Sequence, residues 1–183
     1  MENRNWQLID TIVEIKSPWV TLIGERIKDD QDNILDYWRV EKEDSVIVVT
    51  RYKNSLIFPK STFRPGIKKV TIDFAGGRLK KNNNLENTAY KILQRELNLT
   101  QDKVKIITPI NHQGFIVNSS FSNQKLWGFY CELKSDISLD NLFIGAIYSL
   151  NSNDFKRLLN DLQCLQCRSL LLECVSQGLV ATF

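Results

Sequence analysis

A single histidine, His112, and a single methionine stand among 183 residues. The scarcity of imidazole removes most Ser-His and Cys-His nucleophile schemes. No apolar run approaches the ~18 residues of a membrane-spanning helix, and the opening MENRNWQLIDT has no secretory apolar region, so a cytoplasmic protein is expected. Neither sign of charge dominates: Lys and Arg number 24 against 21 Asp and Glu, and a net +3 gives no strong nucleic-acid footprint. Four prolines and eight glycines are too thinly spread to build a dividing linker. Four cysteines, Cys131, Cys164, Cys167 and Cys174, are too few for a disulfide scaffold at this length. No internal repeat is visible.

The stretch that organises what remains is DFAGGRLKKNNNLENTAYKILQRELNLT, from Asp73 to Thr100. It reads as a strand ending at Phe74, a glycine turn at Ala75, Gly76 and Gly77, a polar loop, then a helix. Leu85, Ala89, Leu93 and Leu97 recur at fourfold spacing, and Ile92 and Leu99 widen the apolar face. A strand–glycine loop–helix unit can place backbone N–H groups and acids around a phosphate or its metal.

These residues resemble the Nudix family. Its box is a glycine, five residues, Glu, seven residues, Arg-Glu-apolar, one residue, Glu-Glu, one residue, then Gly-apolar. Laid over this chain without gaps, the first glycine is Gly77 and the Arg-Glu-apolar triplet is Lys91-Ile92-Leu93. The Glu-Glu pair becomes Arg95-Glu96 and the closing pair Asn98-Leu99. Spacing and apolar positions fit, but Asn83, Ile92 and Arg95 replace three of the metal-binding glutamates. Glu96 alone survives. Mg²⁺ needs hard oxygen ligands, and Ile92 offers none while Arg95 brings a positive charge. Glu96 is therefore either a residual ligand or base, with the Ala75 backbone as a second metal contact, or an ion-pair partner of Arg95 or Lys91, or simply part of a solvated helix face.

The order of elements resembles the ADP-ribose pyrophosphatase branch of that family. Two strands between Trp6 and Ile27 break at Ser17-Pro18, a third runs from Ile34 to Val40, and Ser45 to Thr50 is a buried strand. Leu56-Ile57-Phe58 and Ile67 to Phe74 are further strands ahead of the box. Val104 to Ile110, Lys125 to Leu133 and Asn141 to Ser149 follow it. A helical stretch from Ser152 to Gln177, interrupted near Gln163, closes the chain. Thr62-Phe63-Arg64, Asp73-Phe74-Ala75-Gly76 and Asn111 to Phe115 occupy the places of the branch's short motifs. The implied fold is an α/β/α Nudix sandwich with a mixed sheet, an N-terminal antiparallel β extension over 1–42 and a Nudix-like domain over 43–183.

The resemblance also implies a homodimer paired through the extension, with Trp19 or Trp38 beside a nucleobase. It implies Mg²⁺ as cofactor if the chain is active, and no cofactor otherwise. Arg64 and Asp73 become candidates for a nucleoside-diphosphate ligand, or else form a structural ion pair; Arg51, Arg78, Gly76 and Gly77 join them as substrate-binding candidates. A protein partner is the other expectation. Lys68, Lys69, Arg78, Lys80 and Lys81 make the region basic, which would suit an anion or RNA, or simply a solvated face. Aromatics are not interleaved with them, and that argues against a stacking platform.

Two functional readings follow: a degenerate nucleotide-binding protein, or a hydrolase recruiting Glu86, Asp102, Glu132, Asp136 or Asp140. A third leaves the fold as an interaction surface only. The Cys164-x-x-Cys167 pair, with Cys174 on the same helical side, lacks a second pair for a zinc site and reads as core packing. Trp6, Trp19, Trp38 and Trp127 read as strand residues.

Overall fold

The structure, a computed structural model, describes residues 6–80 and 82–181. Lys81 of the basic run lies outside them. The chain divides into two compact units, one of residues 1–44 with 116–125 and one of 45–115 with 126–183.

The first unit is an antiparallel sheet of β1 (Gln7–Lys16), β2 (Thr21–Lys28) and β3 (Ile34–Glu41) in that order. Its turns are specified by side chains. The Ser17 hydroxyl accepts from the Trp19 and Val20 amides at 3.2 and 3.1 Å, and Asp29 Oδ1 accepts from those of Gln31 and Asn33, each at 2.8 Å. Trp19 therefore sits in a turn and Trp6 ahead of β1, so neither is a strand residue as the sequence suggested. Trp38 does lie on β3, its ring over Gly24. Residues 116–125 fold back within this unit, where the Val40 amide donates to Phe121 O at 2.8 Å.

Arg39 grips the second strand. Its Nε and Nη2 donate to the two carboxylate oxygens of Glu25 at 2.8 Å each, and its Nη1 reaches Glu41 at 2.7 Å. The bond from Arg39 holds the Glu25 carboxyl below its ordinary 4.5, against the opposing effect of burial. The unfolded chain thus binds the extra proton near that pH. The stabilisation is whole above the ordinary value and is lost as pH falls through the lower, folded one. Glu25→Gln is expected to flatten the acid limb of stability between about pH 5 and 3. Urea midpoints across that range measure it; parallel wild-type and variant curves would exclude the effect.

In the second unit, β4 (Ser45–Tyr52) is the spine, with Val46, Val48 and Val49 fully buried. Such a β-branched run suits a strand covered on both faces. On one edge it runs parallel to β11 (Lys125–Leu133), which is antiparallel to β9 (Val104–Pro109). On the other edge its two halves take different antiparallel partners, β8 (Ala75–Arg78) against Ser45–Val48 and β5 (Ser55–Pro59) against Thr50–Tyr52. β12 (Ile144–Ser149) pairs with β5. A short ladder of β6 (Thr62–Arg64) and β7 (Lys69–Thr71) stands apart, and β10 (Phe115–Ile116) lies where the chain passes between units.

Two sequence readings change here. Ala75, Gly76 and Gly77 form a strand, not a turn, because β4 supplies backbone partners from Val48 to Val46. The expected strand from Ile67 to Phe74 shrinks to Lys69–Thr71, since Ile67 closes the turn of the β6–β7 hairpin with its amide on Arg64 O at 3.2 Å.

Helix α1 (Leu85–Leu97) begins where Asn84 accepts from the Asn87 amide at 3.1 Å. It ends at Asn98 in the left-handed region (φ 53, ψ 38), with the Leu99 amide returning to Leu93 O. Its Ala89, Ile92, Leu93 and Leu97 cover one sheet face, packing with Val46, Val48, Phe129 and Cys131. The helical stretch at the end is α2 (Ser152–Asp161) and α3 (Leu165–Ser176), split around Gln163. α3 covers the opposite face, where Leu170 fills the space above Gly128. The result is the expected mixed-sheet α/β/α sandwich with an N-terminal antiparallel sheet.

Candidate functional site

The box residues meet between β8 and α1. Gly77 faces the helix, and a Cβ there would lie 3.1 Å from Arg95 Nη2 and 3.2 Å from Ile92 Cγ1. Glycine at this point lets strand and helix close on each other. Ile92, at the place of a box glutamate, is 2 % exposed and belongs to the core. Arg95 reaches across: its Nη2 donates to Gly76 O at 2.8 Å and its Nε to Glu96 Oε1 at 2.7 Å. A guanidinium thus joins a strand carbonyl to the surviving box carboxylate. Asn83 is exposed in the loop before the helix, and Arg78 ends β8 opposite Ser45, half-buried.

Mg²⁺, the ion that such a box implies, does not fit this donor set. It would need several hard oxygens and a net negative site. Here one carboxylate is already neutralised by a cation bonded to it. Among the described residues, no trio of acidic, His or Cys side chains that includes Glu96 brings its ligand atoms within 4.8 Å. The acids considered as recruits are placed elsewhere or committed. Glu132 binds Lys105 at 2.8 Å, and Asp140 accepts from Asn98 Nδ2 and the Leu142 amide at 2.9 Å each. The bond from Asn98 holds the Asp140 carboxyl below its usual range, and one from Thr100 does the same for Asp102. Glu86, on the first turn of α1, and Asp136 are exposed.

Arg64 and Asp73 are brought together, Asp73 standing just ahead of β8. Arg64 Nε and Nη2 donate to Asp73 Oδ2 at 2.8 and 2.5 Å, and Asp73 Oδ1 lies 4.0 Å from Cys167 Sγ. Arg51 stands on β4. It lies on the sheet face opposite α1, donates to Lys53 O at 2.8 Å, and sits beside the Tyr130 hydroxyl. Burial pushes that hydroxyl up, and Arg51 opposes the shift. The sequence candidates thus have separate direct partners: Arg95 with Gly76 and Glu96, Arg64 with Asp73, and Arg51 with Lys53.

Cys164 is the N-cap of α3 and only half-buried, while Cys167 and Cys174 are buried. The expected row of three packed thiols holds for two. Burial pushes the Cys131 and Cys174 thiols up to about 12. The Cys167 hydrogen bond draws Cys164 down, and the same contact, with burial, pushes Cys167 up.

Asn111, read from the sequence only as the first residue of a short motif, has a buried bridging role. Its buried carboxamide donates to Gln113 O and Leu126 O at 3.0 and 2.9 Å and accepts from the Gly128 amide at 2.8 Å. It thereby ties the end of β9 to β11. His112 beside it is exposed. A cavity of about 230 Å³ lies within the first unit, lined by Tyr37, Arg39 and residues 119–123, and contains no box residue.

The fold is Nudix-like. The chain is similar to the crystal structure of an ADP compounds hydrolase, with a TM-score of 0.75 and 14 % identity over 96 % of this chain and 97 % of that one. No protein-family model matches the sequence, and no curated protein matches it. No helix among the described residues is long and apolar enough to cross a membrane.

Proposed function

We propose that this chain is a Nudix-fold protein that binds a nucleoside-diphosphate-type ligand without hydrolysing it by the Mg²⁺ mechanism. The observation that carries this reading is the Arg95 guanidinium held between Gly76 O and Glu96 Oε1. It supplies, from the chain itself, the positive charge that a metal would supply at such a box. Arg95 is exposed enough to offer its remaining donors to a phosphate oxygen, and guanidinium suits that geometry. The name of the structural relative, an ADP compounds hydrolase, suggests ADP-containing diphosphates as the first ligands to try. A sensing, regulatory or assembly role follows from binding without turnover.

The test is thermal stability with ADP-ribose and ADP, each with and without Mg²⁺. Free ligand at one hundred times its dissociation constant adds about 2.7 kcal/mol. Stabilisation that ignores Mg²⁺, with Arg95→Ala abolishing it, is the expected result. Release of AMP that requires Mg²⁺ and disappears in Glu96→Gln would overturn the reading in favour of a hydrolase.

A further inference from the structure

The Asp73–Cys164–Cys167 cluster contains none of the residues on which the reading above rests. We propose that these three side chains form a binding site for a thiophilic divalent cation of the zinc type, with water as fourth ligand.

The ligand atoms, one carboxylate oxygen and two sulfurs, all lie within 4.8 Å of one another. Zinc–sulfur bonds of about 2.3 Å in a tetrahedron put two sulfurs about 3.8 Å apart, so contraction of about 1 Å or less closes the site. Cys164, at the helix cap, and Cys167, on the first turn, project toward the same point, which the residue spacing of the pair permits. Asp73 comes from 91 positions earlier in the chain and is held there by Arg64, whose two bonds fall on Oδ2 alone. Its Oδ1 is left facing the sulfurs, 4.0 Å from Cys167 Sγ.

Backbone donors to both sulfurs are also in place. The amides of Gln166 and Cys167 face the Cys164 sulfur and that of Phe74 faces the Cys167 sulfur, donors that support thiolate ligands. Two thiolates and a carboxylate carry three negative charges. A divalent cation leaves one, and Arg64 stands against it. A Cys-x-x-Cys at a helix start can also serve as a redox pair; what favours a cation here is a third ligand atom, the Asp73 carboxylate oxygen, gathered with both sulfurs. Cys164 is half-buried, and its open side is where the fourth, water ligand would stand. Cysteine and aspartate together favour zinc over magnesium or calcium, which take oxygen only.

A bound ion would fasten the start of α3 to the segment leading into β8. The experiment is a Co²⁺ titration of the full chain, reduced with a phosphine. One equivalent should bind with a thiolate-to-cobalt charge-transfer band and the visible bands of tetrahedral cobalt, and Zn²⁺ should displace it. Cys164→Ser is the principal variant, because its half-exposed position spares the core; Cys167→Ser could unfold the helix end. Cys164→Ser and Asp73→Asn should each weaken binding by about tenfold or more, while Cys174→Ala should leave the spectrum unchanged. Absence of the charge-transfer band, or its survival in a folded Cys164→Ser protein, would overturn the site. Failure to take cobalt, together with a Cys164–Cys167 disulfide forming in air, would instead identify a redox pair. Each of these readouts is independent of nucleotide binding, so this site and the box reading fail separately.

Discussion

Replacing Ile92 and Arg95 together by glutamate is expected to cost about 5 kcal/mol or more at pH 7. Both changes restore acids that the box spacing would call for, yet Ile92 is 2 % exposed and packed among Leu93, Leu97 and Val46. Removing Arg95 at the same time takes away the cation bonded to Gly76 O and Glu96. The new carboxyl at 92 can take a proton instead of staying charged in the core. Its charge-related cost at pH 7 is then limited to the gap above an ordinary glutamate value, about 3.7 kcal/mol. The folded protein holds more protons than the unfolded, so stability falls as pH rises. Lowering the pH from 7 to 5 should return about 2.7 kcal/mol relative to wild type. Millimolar Mg²⁺ should return part of the loss at pH 7, in the double variant and not in wild type. Urea unfolding at the two pH values, with and without Mg²⁺, measures all of this. A variant as stable as wild type at pH 7 would mean that Ile92 is not the core residue described.

Gly145→Ala is expected to destabilise by about 3 kcal/mol. Gly145 lies where the β12–β5 register shifts between Ile144 and Ala146. A Cβ there would stand 2.5 Å from both Lys60 Cα and Pro59 O, and 2.9 Å from Lys60 N. All three are backbone atoms, so no rotamer change relieves the contact. Gly128→Ala makes an informative comparison. Its Cβ would lie 2.3 Å from Leu170 Cδ2, the tip of a side chain that can turn, although in a packed core, and about 1–2 kcal/mol is expected. At Gly66 nothing lies within 4 Å, and the change should be close to neutral. Urea midpoints for the three variants should fall in that order; a Gly145→Ala protein matching Gly66→Ala would contradict the close approach of the two strands.

Much of this fold was legible because its signals are local. The β-branched run at Ser45–Thr50, the fourfold apolar spacing of α1 and the break near Gln163 each occupy a few consecutive residues. β8 was misread because two successive glycines signal a turn when viewed alone. Only the partner strand, β4, shows that they are there for close packing against Ile47 on one side and Ile92 on the other. The ion pair of Arg64 with Asp73 was open to the sequence as a pairing, since nine residues and a hairpin separate them. Its meeting with Cys164 and Cys167 was not, because the contact spans more than ninety positions and depends on how α3 lies over the sheet. Cys164 looked like a helical residue by spacing; its place as the cap, half-exposed, depends on where the helix starts.

The guanidinium between Gly76 and Glu96 is part of the polypeptide, whereas a metal ion is a visitor. A bound ion can be stripped by a chelator, diluted out or exchanged for a competitor. Arg95 cannot, and its charge persists at every physiological pH. On the proposed reading, recognition at this face of β8 and α1 would have an electrostatic setting that is fixed at translation and does not vary with the cell's supply of magnesium.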